Sequence, residues 1–179
     1  RKDGPVHALT DLKHRTIATG ASDSPQATLI PLGPLRREGL KPGADVTVRR
    51  FDVLVGKHGD HIGGERDALE CLKTGQAAAC AMLDLNWDGW IKDGTIDSNE
   101  FAIVGETDRF DHCVFTVREN LDRDAERRWL DALFAMRYDN PSHREMMDLE
   151  GLKAWLPGRI TGFGPLTAAV ASEGFFQKS

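Results

Sequence analysis

Residues 15–40 constrain the fold of this chain more than any other segment. Arg15-Thr16-Ile17-Ala18-Thr19 reads as a buried strand, and Leu29 to Leu40 carries apolar residues at the spacing of a helix packed on a sheet. Between them, Gly20-Ala21-Ser22-Asp23-Ser24-Pro25-Gln26-Ala27-Thr28 is a turn of small and hydroxyl-bearing residues. A strand that turns directly into a helix leaves backbone N–H groups pointing at one spot. The positive end of the helix dipole lies there too, so the spot favours an anion. The same residues also suit an ordinary N-cap, with Ser, Thr or Asp accepting from the first turn.

The rest of the chain repeats this alternation at first and then departs from it. Residues 45–51 alternate as a half-buried strand, and a loop rich in Gly and His occupies about 55–64. Residues 65–74 fit a helix with Ala68, Leu69 and Leu72 on one stripe and Gly75 as its stop. The small apolar run 77–83 suits a strand buried on both faces, 84–92 a short helix, and 100–104 another strand. Such alternation implies a mainly parallel, layered α/β sheet. Beyond Gly105 a strand at 113–117 is expected. Helices then dominate, at 124–136, 141–149 and 165–173, the last two entered through Pro141 and Pro165. The polar segment 106–111 reads as a crossing between two lobes.

Composition excludes several classes. With 179 residues, 40% of them hydrophobic, the chain can bury a real core of one domain or slightly more. A net charge of -5 argues against a nucleic-acid surface, so no nucleic-acid partner is expected, and Arg36-Arg37 and Arg49-Arg50 read as solvated edges. No apolar run has the length of a membrane span. Arg1-Lys2-Asp3-Gly4-Pro5 is not followed by the apolar core of a signal peptide, so any export signal is expected to be removed or to lie outside this sequence. Cys71, Cys80 and Cys113 have no metal-ligand spacing and read as buried free thiols.

Three motifs carry chemistry. Asp84-Leu85-Asn86-Trp87-Asp88-Gly89-Trp90-Ile91 imitates the start of an EF-hand loop. Its twelfth position is Thr95, where calcium needs a bidentate Glu, so Asp84 reads instead as a residue just past a strand end, facing a ligand. In Gly56-Lys57-His58-Gly59-Asp60-His61-Ile62-Gly63-Gly64-Glu65, two histidines flank Asp60, and paired glycines let the backbone approach a ligand. That loop can donate to an anion, bind a metal with a third ligand from Glu65, Asp84, Asp111 or His112, or simply be solvated. Phe110-Asp111-His112-Cys113 stands at the crossing, a weak signal by itself. No nucleophile elbow, Walker loop, dinucleotide fingerprint or zinc-protease motif occurs, so no enzyme activity and no cofactor is expected.

Together these stretches resemble the periplasmic substrate-binding proteins of phosphate, phosphite and phosphonate ABC transporters. The resemblance rests on Leu9-Thr10-Asp11-Leu12-Lys13, on Ser22 to Pro31, on Ala68-Leu69, Gly75 and the run 77–83, on 113–122, and on Pro157-Gly158-Arg159-Ile160-Thr161-Gly162-Phe163. It implies a type 2 periplasmic-binding-protein fold. Residues 6–106 would form a three-layer α/β second lobe, and 107–179 a crossing strand and helices returning into an incomplete first lobe. About a hundred N-terminal residues of that family have no counterpart here, as in a fragment or a protein whose first part is separate. The family's hydroxyl cluster falls on Ser24, Pro25 and Gln26, so Ser24, Gln26, Ala27 and Thr28 would hold the anion. The family's loop histidine falls nearest Glu65, with His58 or His61 able to take its place. Asp84, and Asp111 with His112, fall near its acidic contacts. The implied protein is a monomeric extracytoplasmic solute-binding component, partnered by a transporter permease, for a small phosphonate- or phosphate-like anion. A metal or metal-chelate protein using the His58/His61 loop, and an enzyme that recruited the fold, are the rival readings.

Overall fold

The computed structural model describes residues 1–51, 61–111 and 114–176. The chain divides into two compact units, one of Arg1–Phe110 with Phe163–Ser179 and one of Asp111–Gly162.

The larger unit is built on a three-stranded parallel sheet in the order β2-β1-β3, with β1 at Thr16–Thr19, β2 at Thr47–Arg50 and β3 at Ala79–Cys80. Ile17 pairs with Val48 on one side and Ala79 on the other, and Ala18 pairs with Arg49 and Cys80. Alternation along β1 then splits the core in two. On one face Ile17, Leu12, Val46 and Ala79 pack with Leu32 and Leu35 of α1 (Leu32–Arg37). On the other, Ala18 meets Ala68 and Cys71 of α2 (His61–Lys73), together with Ala77. The chain leaves β1 sideways to β2, then passes back over β1 to β3. Crossovers of one hand in opposite directions place their helices on opposite faces, as found. A third cluster joins Leu69 and Leu72 of α2 to Trp90 of α3 (Asp84–Lys92), Ile96 and Phe101.

The expected helix over 29–40 forms differently, and two prolines explain how. Helical backbone begins at Pro25 as a π-helical turn, Pro25–Leu29, and continues through Ile30 and Pro31 into α1. Pro31 has no N–H to give Ala27 O, and Pro34 has none for Ile30 O, so regular i→i−4 bonding is impossible at both places. Ile30 O instead accepts from Gly33 N at 2.9 Å, and Ala27 O from Gly20 N at 3.2 Å.

Other expectations meet the absence of a partner. Only Ala79 and Cys80 of the run 77–83 join the ladder. Residues 100–104 form no strand; Phe101 is buried by its side chain alone while Ile103 is 53% exposed. Cys113 lies outside the described residues, and Val114, Phe115, Thr116 and Val117 form no strand either. Strand-forming side chains need a neighbouring strand, and among the described residues none runs beside these segments.

Cys71 is a buried free thiol as expected, while Cys80, also free, is only half-buried. Burial pushes the Cys80 thiol up to about 12. The raised pKa keeps Cys80 as the thiol, while thiol reagents are attacked by the thiolate. Cys80 should therefore resist alkylation in the native protein and react on unfolding, as read by peptide mass spectrometry. Rapid native labelling at Cys80 would contradict this burial.

The last helix, α6 (Gly164–Glu173), belongs to the larger unit. Ala169, Leu166 and Val170 pack with Leu29 of the π turn, with Ile30 just after it, and with Phe110 and Phe175.

The smaller unit holds α4 (Arg123–Phe134) and α5 (Pro141–Leu149). Asp122 caps α4 by accepting from Asp124 N, and Asn140 caps α5 by accepting from Ser142 N, each at 3.0 Å. Phe115 meets Trp129 edge-on at 4.8 Å and Trp155 at 5.6 Å. Phe115, Leu149, Leu156 and Ile160 nevertheless remain exposed. Among the described residues, no helix is long and apolar enough to cross a membrane.

Candidate functional site

All three strands run the same way, so their C-terminal ends share one edge. β1 sits between strands reached by connections on opposite faces. The crevice beyond the strand ends at such a reversal is where open α/β sheets bind ligands. Gly20, Phe51 and Ala81 stand at that edge.

The turn after β1 is locked from several directions. Gly20 N donates to Ala27 O, while Gly20 O accepts from Thr28 Oγ1 at 3.0 Å and from Phe51 N at 3.3 Å. Ser24 Oγ accepts from Ala27 N at 3.2 Å, and Ser24 O accepts from Thr28 N and Leu29 N. Ser24, Ala27 and Thr28 are all buried, so the hydroxyls expected to face a ligand bind the turn to itself. Gln26 differs. It is half-buried, and its Oε1 is shielded from water with no hydrogen-bond partner among the described residues.

Two glycines allow a close approach that spacing in the sequence does not reveal. A Cβ at Gly20 would stand 2.7 Å from Ala27 Cβ, and one at Gly64 would stand 2.8 Å from Phe51 O and 3.2 Å from Ala21 N. The start of α2 therefore lies directly against the ends of β1 and β2.

Glu65 follows at once. It is only 1% exposed, and its Oε2 accepts from Leu83 N at 2.9 Å and Asn86 Nδ2 at 2.6 Å. The carboxylate brackets the start of α2 to the junction between β3 and α3, and sequence reading missed Asn86 as its partner. Asp84 opens α3 in an exposed position, with Oδ1 accepting from Leu85 N at 2.8 Å. The structure thus gathers Ser24, Gln26, Ala27, Thr28 and Glu65 at one sheet edge. His58 and His112 lie outside the described residues, as does Asp60. His61 is placed by its backbone alone, as the first residue of α2.

Asp111 belongs to the smaller unit, where both oxygens are taken by Arg159 through Nε and Nη2 at 2.7 Å each. Hydrogen bonding to that guanidinium holds the Asp111 carboxyl below its ordinary range. Asp111 N also donates to Gly162 O at 3.0 Å, and a Cβ at Gly162 would fall 2.1 Å from the Asp111 carboxylate. No three His, Cys, Asp or Glu side chains gather as a metal site among the described residues.

This parallel sheet, with its flanking helices, has counterparts among known proteins. A family model described as the periplasmic substrate-binding protein of phosphonate ABC transporters matches residues 1–169. The chain belongs to that family. Its fold is similar to that of XAC2383 from Xanthomonas citri, solved bound to ATP, with a TM-score of 0.69 over 99% of this chain at 19% identity. That likeness is one of fold. A Haemophilus influenzae protein described as uncharacterized is 62% identical over 39 residues, 22% of this chain. The chain spans 64% of the length of XAC2383, and the Haemophilus match covers 55% of that protein.

Proposed function

We propose that this chain is the ligand-holding part of an extracytoplasmic solute-binding protein that delivers a small phosphorus oxyanion or organophosphonate to a transporter permease. The observation that carries the reading is the Gln26 Oε1 at the C-terminal edge of β1, shielded from water and without a hydrogen-bond partner among the described residues. A carboxamide offers two N–H donors and one acceptor oxygen, and either end can be turned to the ligand. A phosphonate presents both unprotonated oxygens and, near neutral pH, an acidic proton, so it can match both. Family membership supports a solute-binding role over the metal and enzyme readings.

In this proposal Ser24, Ala27 and Thr28 shape the turn and Gln26 touches the ligand. His58, His61 and Asp84 are further contacts from the same unit. Glu65 braces the edge through Leu83 and Asn86. The larger unit, α6 included, corresponds to the α/β second lobe of a type 2 binding protein, and the smaller unit with α4 and α5 to the return into the other lobe. The exposed Phe115, Leu149, Leu156 and Ile160 of the smaller unit fit a layer that is completed by further structure.

The test is calorimetric titration of the full chain with phosphate, phosphite, methylphosphonate, aminoethylphosphonate and ATP, the ligand of XAC2383. Gln26→Ala should weaken the best ligand about tenfold, the equivalent of one lost hydrogen bond near 1.4 kcal/mol. It should leave stability within about 0.5 kcal/mol. Ser24→Ala should instead cost about 1 kcal/mol of stability, because it removes a cap. If no phosphorus oxyanion binds the unaltered protein, the reading fails.

A further inference from the structure

Arg36 and Arg50, which sequence reading treats as solvated edges, meet the same carboxylate. Glu173, at the end of α6, is 11% exposed at its side chain; one oxygen accepts from Arg36 Nη2 and the other lies 3.8 Å from Arg50 Nη2. Consecutive residues of a strand point to opposite faces. Arg49 accordingly turns the other way, to Gln76 Oε1 at 2.7 Å, while Arg50 turns to α6. Glu173 therefore ties α1, the end of β2 and α6 together on one face of the sheet.

The same helix covers the ligand turn from behind. Ala169, Leu166 and Val170 lie against Leu29 and Ile30, whose backbone forms the end of the π turn and the step into α1. Among the described residues that turn is held to the end of β1 by the bonds from Gly20 N to Ala27 O and from Ser24 N to Ala21 O and by the Thr28 hydroxyl, while Pro31 withholds the usual helical donor. Support from outside the turn must supply what regular helix bonding does not. We infer that Glu173 is a positioning residue for the ligand turn, docking α6 so that the segment 24–28 keeps the shape that presents Gln26. The inference rests on the proposed ligand edge, but it concerns the protein's own conformation and can be read without a ligand.

Removing the charge takes away the anion that both guanidinium groups hold, so α6 loses its tie to α1 and to the end of β2. In Glu173→Gln, amide exchange at Gly20 and Ala27 should quicken at least fivefold together with that of α6. The amide of Ala81, which donates to Ala18 O on the far side of β1, should keep its rate. Affinity for methylphosphonate should fall at least fivefold. Arg50→Gln, which removes only the longer contact, should show the same pattern more weakly and serves if Glu173→Gln does not fold. Faster exchange in α6 with unchanged Gly20 and Ala27 would overturn the inference, leaving Glu173 a purely structural clasp. An unaltered protein that binds none of phosphate, phosphite, methylphosphonate and aminoethylphosphonate would sink the proposed function, while the exchange rates would still decide the role of Glu173.

Discussion

Glu65→Ala should lower the stability of the larger unit by about 2–4 kcal/mol. Leu83 N and the Asn86 amide both donate to Glu65 Oε2, and the alanine leaves them facing a void. A hydrogen bond to a charged group contributes about 1.5–3 kcal/mol, and a buried donor left unpaired costs about 1–3 kcal/mol. Asn86 is half-buried and can turn to water, so the penalty concentrates on the Leu83 amide. Loss of a buried charge returns part of the desolvation cost, which keeps the total below the sum of the two bonds. Glu65→Gln keeps the volume and one acceptor oxygen, so it should lose about half as much. Urea unfolding reads both values. A loss below about 1 kcal/mol for Glu65→Ala would mean that the bracket between α2 and α3 is not what holds this edge together.

At the neighbouring position the sign of the effect is at stake. Alanine is favoured over glycine within a helix by about 1 kcal/mol, so propensity alone has Gly64→Ala stabilise α2. Its methyl group would stand 2.8 Å from Phe51 O, 3.2 Å from Ala21 N and 3.4 Å from Gly20 Cα, all backbone atoms. Backbone cannot step aside as a side chain can, and overpacking of this kind costs about 1–3 kcal/mol, occasionally more. The clash should win, with a net loss of about 2 kcal/mol. Gly89 gives the matched control, since it lies within α3 with nothing within 4 Å of an added Cβ. Gly89→Ala should gain up to about 1 kcal/mol. Thermal midpoints that rise in both variants would refute the close approach at Gly64.

These two positions also mark where sequence reading reached its limit. The parallel α/β sheet was legible because β1, β2 and the long helix α2 carry strong periodicity, and periodicity is local. The distance between Gly64 and Phe51 depends on how two elements meet, and a glycine announces only that something is close. Glu65 was expected to face a ligand through family resemblance; its bonds run to Leu83 and Asn86, eighteen and twenty-one residues on. Asp111 likewise drew notice as an acidic group at the crossing. Its pair Arg159 stands 48 residues away, and nothing local in the sequence links the two. The strands expected at 100–104 and 113–117 show the converse error. Their side chains favour a strand, but a ladder takes two, and propensity says nothing about whether a neighbour is there.

Pro31 acts on the strand before it by what it cannot do. An ordinary residue at 31 would bring an amide proton into competition with Gly20 for the Ala27 carbonyl, and the nearer donor along the chain would have the advantage of locality. Proline abstains, so the carbonyl stays committed to the strand. The partnership between strand end and helix start thus depends on the removal of a rival more than on any added attraction. Substitution at this site should be judged by the donor it introduces before the volume it fills.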